Sequence, residues 1–385
     1  MRFLHLGDLH IGKSLSDFDL ISDQKYILDQ ITDIAVKNKI NAVLIAGDIY
    51  DKSIPSEAAV SLFDYFIRSL VAKKIKIYAV TGNHDSDERL NFGSSLFASN
   101  GVFLSAKYDG RLHKHVLEDE TGRVNIYLMP FIKASQVKHF YPEESIENYD
   151  QAVRVAIEKS EVNPEEVNLL VAHQFVGGKG ETPELSGSEG LGVQNVGLVE
   201  MVGYDCFDVF DYVALGHIHS PQRIGRDEIR YSGSPLKYSL SEAEHDKSVP
   251  MVTVNSDGTV ETTLIPLKPK RDLRHIRGTM NQLLARENIT DPEDFIYVTL
   301  TDEDIVRDAM GIFQQTYPNT VRIEYDNSHT KEISQVEIEK MTENRSFSDM
   351  VSEFYRMMYG CEISEEELKV MHEIAGEAGV ADETH

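Results

Sequence analysis

The sequence predicts an α/β fold, a sheet layered with helices, followed by a small α+β unit and a helical tail. Three observations carry that expectation. Short apolar runs alternate with segments of helical periodicity from residue 1 to about residue 220. A Pro-Leu-Lys-Pro-Lys stretch at 266–270 then interrupts the pattern. Beyond residue 335 the only periodicity is helical.

Residues 3–6 read as the first strand. Residues 22–38 place Ile27, Ile31, Ile34 and Ala35 on one helical face. A short buried strand at 42–46 precedes a helix at 56–72 with Ala59, Leu62, Phe63, Phe66 and Leu70 at helical spacing. Strands continue at 75–80, 126–129, 169–172 and 212–215. Residues 251–254 and 262–265 flank Ser256-Asp257-Gly258, a hairpin that closes a first domain at 1–268. A capping domain at 269–335 follows, with strands at 274–277, 295–300 and 320–325 and helices at 280–285 and 305–316. That size is near the lower limit for independent folding.

The tail, 336–385, carries Phe347, Met350, Val351, Phe354 and Met358 as one apolar stripe. The stripe either folds back on its own domain or docks on a partner's helices. Its distance from the core and its methionines favour the partner. Ser364-Glu365-Glu366-Glu367 reads as a capping box, with Ile363 and Leu368 as its hydrophobic staple.

The 385 residues contain no apolar run of membrane-spanning length, and polar residues interrupt the N-terminus too early for a secretory signal. Cys206 and Cys361 alone make no disulfide framework, so the cytoplasm is the expected compartment. The net charge of −26 divides into −13 over 1–268, −4 over 269–335 and −9 over the last 50 residues. Nucleic-acid affinity rests on Lys and Arg neutralising phosphates, so a chain this acidic binds DNA weakly unless a basic partner helps. Bound divalent ions would also return positive charge to the core.

Five short motifs follow predicted strands: Gly7-Asp8-Leu9-His10, Gly47-Asp48, Gly82-Asn83-His84-Asp85, Ala172-His173 and Gly216-His217-Ile218-His219. Loops at the strand ends of open α/β sheets are where ligands gather, so residues over 200 positions apart can converge. Asp offers hard oxygen and His offers borderline nitrogen, a mixture suited to Mn²⁺, Fe²⁺, Zn²⁺ or Co²⁺ more than to Ca²⁺ or Mg²⁺. Any one motif could be an ordinary strand end with a core histidine; the set in this order points to a metal centre.

The series D-x-H, G-D, G-N-H-D, H, G-H-x-H resembles the signature of the calcineurin-like metallophosphoesterases. The stretches 1–10, 46–51, 81–86 and 214–219, with Tyr231-Ser232-Gly233-Ser234-Pro235, resemble its SbcD branch of DNA nuclease subunits more closely. Gly7 stands where many relatives carry Ser, at a position that ligates nothing. The resemblance covers the chain and implies a β-sandwich layered with helices, a capping domain and a partner-binding tail. It implies one metal held by Asp8, His10, Asp48 and His219 and a second by Asp48, Asn83, His173 and His217, with Asp48 bridging. The ions would be two divalent cations, Mn²⁺ first and Mg²⁺ second. His84 would face the scissile phosphate or orient Asn83, and Asp85 would position His84 or cap a turn.

The implied function is a dinuclear-metal DNA nuclease in end processing, repair and recombination, with exonuclease and hairpin-endonuclease activity when joined to an SbcC-like coiled-coil ATPase. The implied assembly is a homodimer within a heterotetramer, cytoplasmic and nucleoid-associated, with no membrane and no DNA sequence preference. Lys13, Lys52, Arg89, Asn91 and Lys237 lie in or near the same loops and could touch phosphates, or they could be solvated surface residues. Two competing readings keep the motifs: an enzyme of cyclic nucleotides or phosphoproteins, and a DNA-end scaffold without turnover.

Overall fold

A computed structural model describes residues 1–120, 122–178, 182–185 and 201–327, with 351–352, 355–356, 363–364 and 367–371 of the tail. It divides into two compact units, Met1–Thr299 with Val306–Glu324, and Leu300–Ile305 with the chain from Tyr325 on.

Two six-stranded sheets build the first unit. In spatial order, the first contains Val260–Pro266 (β12), Ser248–Val254 (β11), Arg2–Leu6 (β1), Ala42–Ala46 (β2), Lys76–Val80 (β3) and Val102–Ser105 (β4). The second contains Gln222–Ile224 (β9), Arg226–Tyr231 (β10), Tyr212–Gly216 (β8), Asn168–His173 (β7), Gly122–Met129 (β6) and His113–Asp119 (β5). β1 to β4 are parallel, as are β6, β7, β8 and β10, so the strand ends that carry the motifs fall together.

Alternation along the strands sorts side chains into three apolar layers. Phe3, Leu44, Tyr78, Ile126, Val171 and Ala214 pack between the sheets. Leu4, Val43, Ile45 and Ile77 face outward under helices Ile21–Lys37 (α1) and Glu57–Ala72 (α2). Tyr127, Leu170 and Val213 face the helix Tyr149–Glu158 on the other side. Both faces of each parallel region are covered, which is why these strands read as unbroken apolar runs. The sandwich layered with helices is therefore the architecture observed.

β4, β5, β9 and β10 have no counterpart among the expected strands. β5 reads His-Lys-His-Val-Leu-Glu-Asp, a polar edge strand that lacks the apolar signal of the centre. The strands expected between 269 and 325 form a three-stranded sheet, Leu273–Gly278, Phe295–Leu300 and Thr320–Tyr325, in that order. Leu273 and Phe295 join the same apolar cluster as α1, so this sheet roots in the first unit's core. The helix expected at 305–316 is confined to Ala309–Gln314, because Asp308 takes a left-handed φ of 54° at its start. In the tail, Ser364 N donates to Glu367 Oε2 and Glu367 N donates back to Ser364 Oγ, the expected capping box. Val351 is helical and half-buried, while Phe347, Met350, Phe354 and Met358 lie outside the described residues.

Candidate metal centre

Asp8 and His10 leave β1, Asp48 leaves β2, Asn83 follows β3, His173 ends β7, and His217 and His219 follow β8. The structure brings all seven together. Asp8 and Asp48 are almost fully buried, as are His10, His173, His217 and His219. Four of the seven hold a left-handed backbone: Asp8 at φ 53°, His10 at 41°, Asp48 at 49° and His217 at 105°. Each such residue costs on the order of 1–3 kcal/mol, and clustered strain of this kind is retained where a site requires it. Glycines make the approach possible: a Cβ on Gly216 would lie 1.8 Å from the Ala46 carbonyl oxygen, and one on Gly82 would lie 2.1 Å from Asp48 Oδ1.

The donor atoms meet as ligands of common ions do. His10 Nε2 and His219 Nε2 lie 3.0 Å apart. Asp48 Oδ2 sits 3.6 Å from His10 Nε2 and 3.5 Å from His173 Nε2, between the two halves of the site. Asn83 Oδ1 lies 3.0 Å from His173 Nε2 and 3.1 Å from His217 Nδ1. The His173 Nδ1–H donates to the Ala46 carbonyl at 2.8 Å, so in the neutral ring Nε2 carries a lone pair. That lone pair and the Asn83 side-chain oxygen can both point at one cation, so this junction fits a divalent metal. Asp8, His10 and His219 form one cluster of converging ligand atoms; Asp8, Asp48 and His173 form another.

Electrostatics agree with ligation. Burial pushes His10 and His173 down, against the pull of Asp48, and burial with neighbouring His173 takes His217 to about 3. These imidazoles are thus neutral, the form that binds metals. Burial works against the Asp48 carboxylate, and the His84 backbone N–H at Oδ1 favours it.

His84 stands beside this cluster, with its ring edge-on to His10 at 5.0 Å. Its Nδ1–H donates to the Asp51 carbonyl at 3.1 Å, which leaves Nε2 for other partners. Its backbone N–H donates to Asp48 Oδ1 at 3.0 Å. It lines an open cleft of about 600 Å³ with Asp51, Lys52, Ser53, Ile54 and Asn83. Asp85 takes the turn-capping alternative: its carboxylate accepts from the N–H groups of Ile49, Tyr50 and Gly82 at 3.1, 3.0 and 3.0 Å, tying the loops after β2 and β3 together. Burial and the nearby charge of Asp48 raise it to about 7.

The five basic or polar candidates separate. Lys52 lies on the cleft and is exposed. Lys13 pairs with Asp51 at 2.8 Å. Arg89 and Asn91 are exposed on the short helix Asp87–Asn91. The Lys237 ammonium pairs with Asp272, at 3.0 Å, and donates to the carbonyls of Ala243 and Leu273, at the start of the strand Leu273–Gly278.

Sequence reasoning missed the residues behind the ligands. Gln24 on α1 donates to the His10 carbonyl at 2.7 Å and accepts from Gly12 N at 2.9 Å, fixing the first ligand loop. Glu242 lies 3.4 Å from His219 Nδ1. Despite full burial, His219 and Lys247 hold its carboxyl well below the usual range. Its setting, Ser-Glu-Ala-Glu-His-Asp-Lys, carries the signal of a solvated loop.

The calcineurin-like phosphoesterase family matches residues 1–221, and a family described as the type 5 capsule protein repressor C-terminal domain matches residues 269–359. The chain belongs to the calcineurin-like phosphoesterases, and within them to the SbcD branch. It is 33% identical over 367 residues, 93% of each chain, to the SbcD subunit of the nuclease SbcCD of Staphylococcus epidermidis. A crystal structure of a dimetal phosphatase from Danio rerio aligns with 70% of this chain and 99% of its own, at 12% identity and a TM-score of 0.37.

Proposed function

We propose that this chain is a metal-dependent phosphodiesterase that cleaves DNA, working as the nuclease component beside an SbcC-like ATPase. The observation that carries it is the pair of ligand junctions, His10 with His219 and Asn83 with His173 and His217, joined through Asp48 Oδ2. Asp8, His10, Asp48 and His219 would hold one ion, and Asp48, Asn83, His173 and His217 the other. Mn²⁺ suits this mixed set, and Mg²⁺ is the other ion that the resemblance implies. Two such ions supply Lewis acidity and a water that ionises near neutral pH.

The chain's own groups do the rest. Asp48 places its carboxylate between the two ligand sets and, through Oδ1, fixes the backbone of His84. The Asp51 carbonyl orients the His84 ring through Nδ1–H, so in the doubly protonated ring Nε2–H would donate to a phosphoryl oxygen or pass its proton to the leaving oxygen. Asp85 holds the two loops in register from below, a positioning role exerted through backbone N–H groups. Lys52, Arg89 and Asn91 are the candidates for phosphate contact, with Lys13 beside them, and such contacts carry no sequence preference. The substrate class follows the named relative and the cleft's breadth.

The partner reading rests on the tail stripe of Phe347, Met350, Val351, Phe354 and Met358, on the tail's acidity and on the relative's being part of a complex. A homodimer of this chain joined to two ATPase chains in the cytoplasm, at the nucleoid, completes that reading, with 1–268 as nuclease domain, 269–335 as capping domain and 336–385 as the partner-binding tail. No described helix is long and apolar enough to cross a membrane.

The test is incubation with Mn²⁺ and linear duplex DNA, single strands or cyclic nucleotides. Cleavage of DNA that Asp48→Ala abolishes is expected. Equal background from wild type and variant, or turnover of cyclic nucleotides alone, overturns it.

A further inference from the structure

Directly behind His219 lies a cluster that the proposed reaction does not use: a fully buried carboxylate and a nearly fully buried ammonium. Glu242 has no exposed surface and Lys247 is 6% exposed, and neither lies in a sequence motif. Lys247 Nζ is 2.6 Å from Glu242 Oε2. It also donates to the His219 carbonyl at 2.9 Å and to Ser234 Oγ at 2.8 Å. Glu242 Oε1 faces His219 Nδ1 at 3.4 Å and accepts from Tyr238 N at 3.3 Å and Ser239 Oγ at 3.1 Å, while Oε2 accepts from Ser234 Oγ at 3.0 Å. His219 is therefore gripped at both ends, ring by Glu242 and backbone by Lys247.

An ion pair this deeply buried is a poor source of stability, because the cost of removing two charges from water offsets their attraction. Its geometry suits another purpose. A histidine that ligates through Nε2 must carry its proton on Nδ1, and an acceptor there fixes both tautomer and ring angle. His219 Nε2 already meets His10 Nε2 at 3.0 Å, so any rotation of the ring breaks that junction.

We propose that Glu242 and Lys247 are positioning residues for the first metal site: Glu242 holds the Nδ1 proton of His219, and Lys247 locks Glu242 and the His219 backbone in place. The inference rests on the two-metal reading and selects one ion of the two. His173, on the other site, uses the Ala46 carbonyl for the same task and has no such dependence. The pair also reaches toward the capping strands, because Lys237 in the same loop binds Asp272 and the Leu273 carbonyl.

The experiment is Mn²⁺ titration of the full chain by calorimetry, with electron paramagnetic resonance to separate coupled ion pairs from single ions. The variant is E242M/K247M, which removes the acceptor and both charges at similar volume, and E242L/K247M is the second variant should the first fail to fold. Melting of the metal-free proteins checks the fold. Wild type should take two ions. The variant should bind one with affinity lowered about 10- to 100-fold, the usual effect of removing such a partner, and the other as before. The coupled signal should give way to a single-ion signal at low Mn²⁺. Two ions bound by the variant at unchanged affinity overturns the positioning role alone. A wild type that takes up no ion overturns the two-metal reading, and this inference falls with it.

Discussion

His84 shows how a residue can sit in a metal cluster without being a ligand. Its backbone belongs to Asp48 and its Nδ1 to Asp51, so the side chain reaches the cleft with one nitrogen uncommitted. Replacing it with Ala removes the side chain proposed to contact the phosphate while the seven proposed ligands keep their partners. His84→Ala should bind two Mn²⁺ as wild type does and lose turnover by about 10²- to 10⁴-fold, the range for a general acid or base. Metal stoichiometry beside single-turnover rates checks this; wild-type cleavage by the fully loaded variant removes His84 from the mechanism. At this scale the cluster is legible in the sequence, because its residues gather at strand ends, most of them beside glycines, and their types suit a metal. Their supports are not. Gln24 on a helix face and Glu242 in a polar loop acquire meaning only from what the chain folds against them. Asp85 lies next to His84 in sequence, and of its two readings the bonds from the Ile49 and Gly82 N–H groups favour the turn cap.

The elements that carry those loops are held by the layer between the sheets, and His5 is its one buried titratable imidazole outside the metal centre among the described residues of β1 to β12. It shares a face with Phe3 on β1, accepts from the Tyr212 hydroxyl at 3.0 Å through Nδ1 and donates to the Leu215 carbonyl at 3.1 Å through Nε2, pinning β1 to β8 just before both release their site residues. Burial takes its pKa down to about 3, although the Leu215 carbonyl pulls upward. The unfolded chain binds a proton near pH 6.5, and the folded chain refuses it until about 3. Stability from this residue is therefore complete above pH 6.5 and is lost progressively as pH falls toward 3, by on the order of a few kcal/mol. His5→Gln, which keeps an acceptor and a donor but does not titrate, should lose less stability than wild type between neutral and mildly acid pH. Urea unfolding of the metal-free proteins at the two pH values measures the difference, and parallel losses would refute it. Central strands announce themselves through apolar runs buried on both faces. Edge strands such as β5 and β9 do not, since half their surface meets water and their composition matches that of a loop.

For the whole chain, charge governs how it meets its substrate. A net charge of −26 opposes a polyanion, and the basic residues near the cleft offer little relief. Among the four cationic candidates, all of them described residues, Lys13 is paired with Asp51 and Lys237 with Asp272, which leaves Lys52 and Arg89 exposed. Each phosphate neutralised by a protein cation releases counterions, so the logarithm of the binding constant falls with the logarithm of salt by about 0.9 per contact. Two or three contacts predict a shallow slope for the isolated chain, whereas a nuclease that binds DNA unaided would show one on the order of 6 or more. Fluorescence anisotropy of a labelled duplex, read from about 50 to about 200 mM salt, measures it. Weak binding with a shallow slope is expected without metal. Mn²⁺ should strengthen it by screening the acidic centre, and addition of the coiled-coil ATPase should steepen the slope by contributing its own cations. A steep slope for the chain alone would mean that basic residues outside the cleft form a DNA track. Because the salt slope counts contacts and not affinity, the same titration separates a chain that binds poorly for want of cations from one whose cleft is closed.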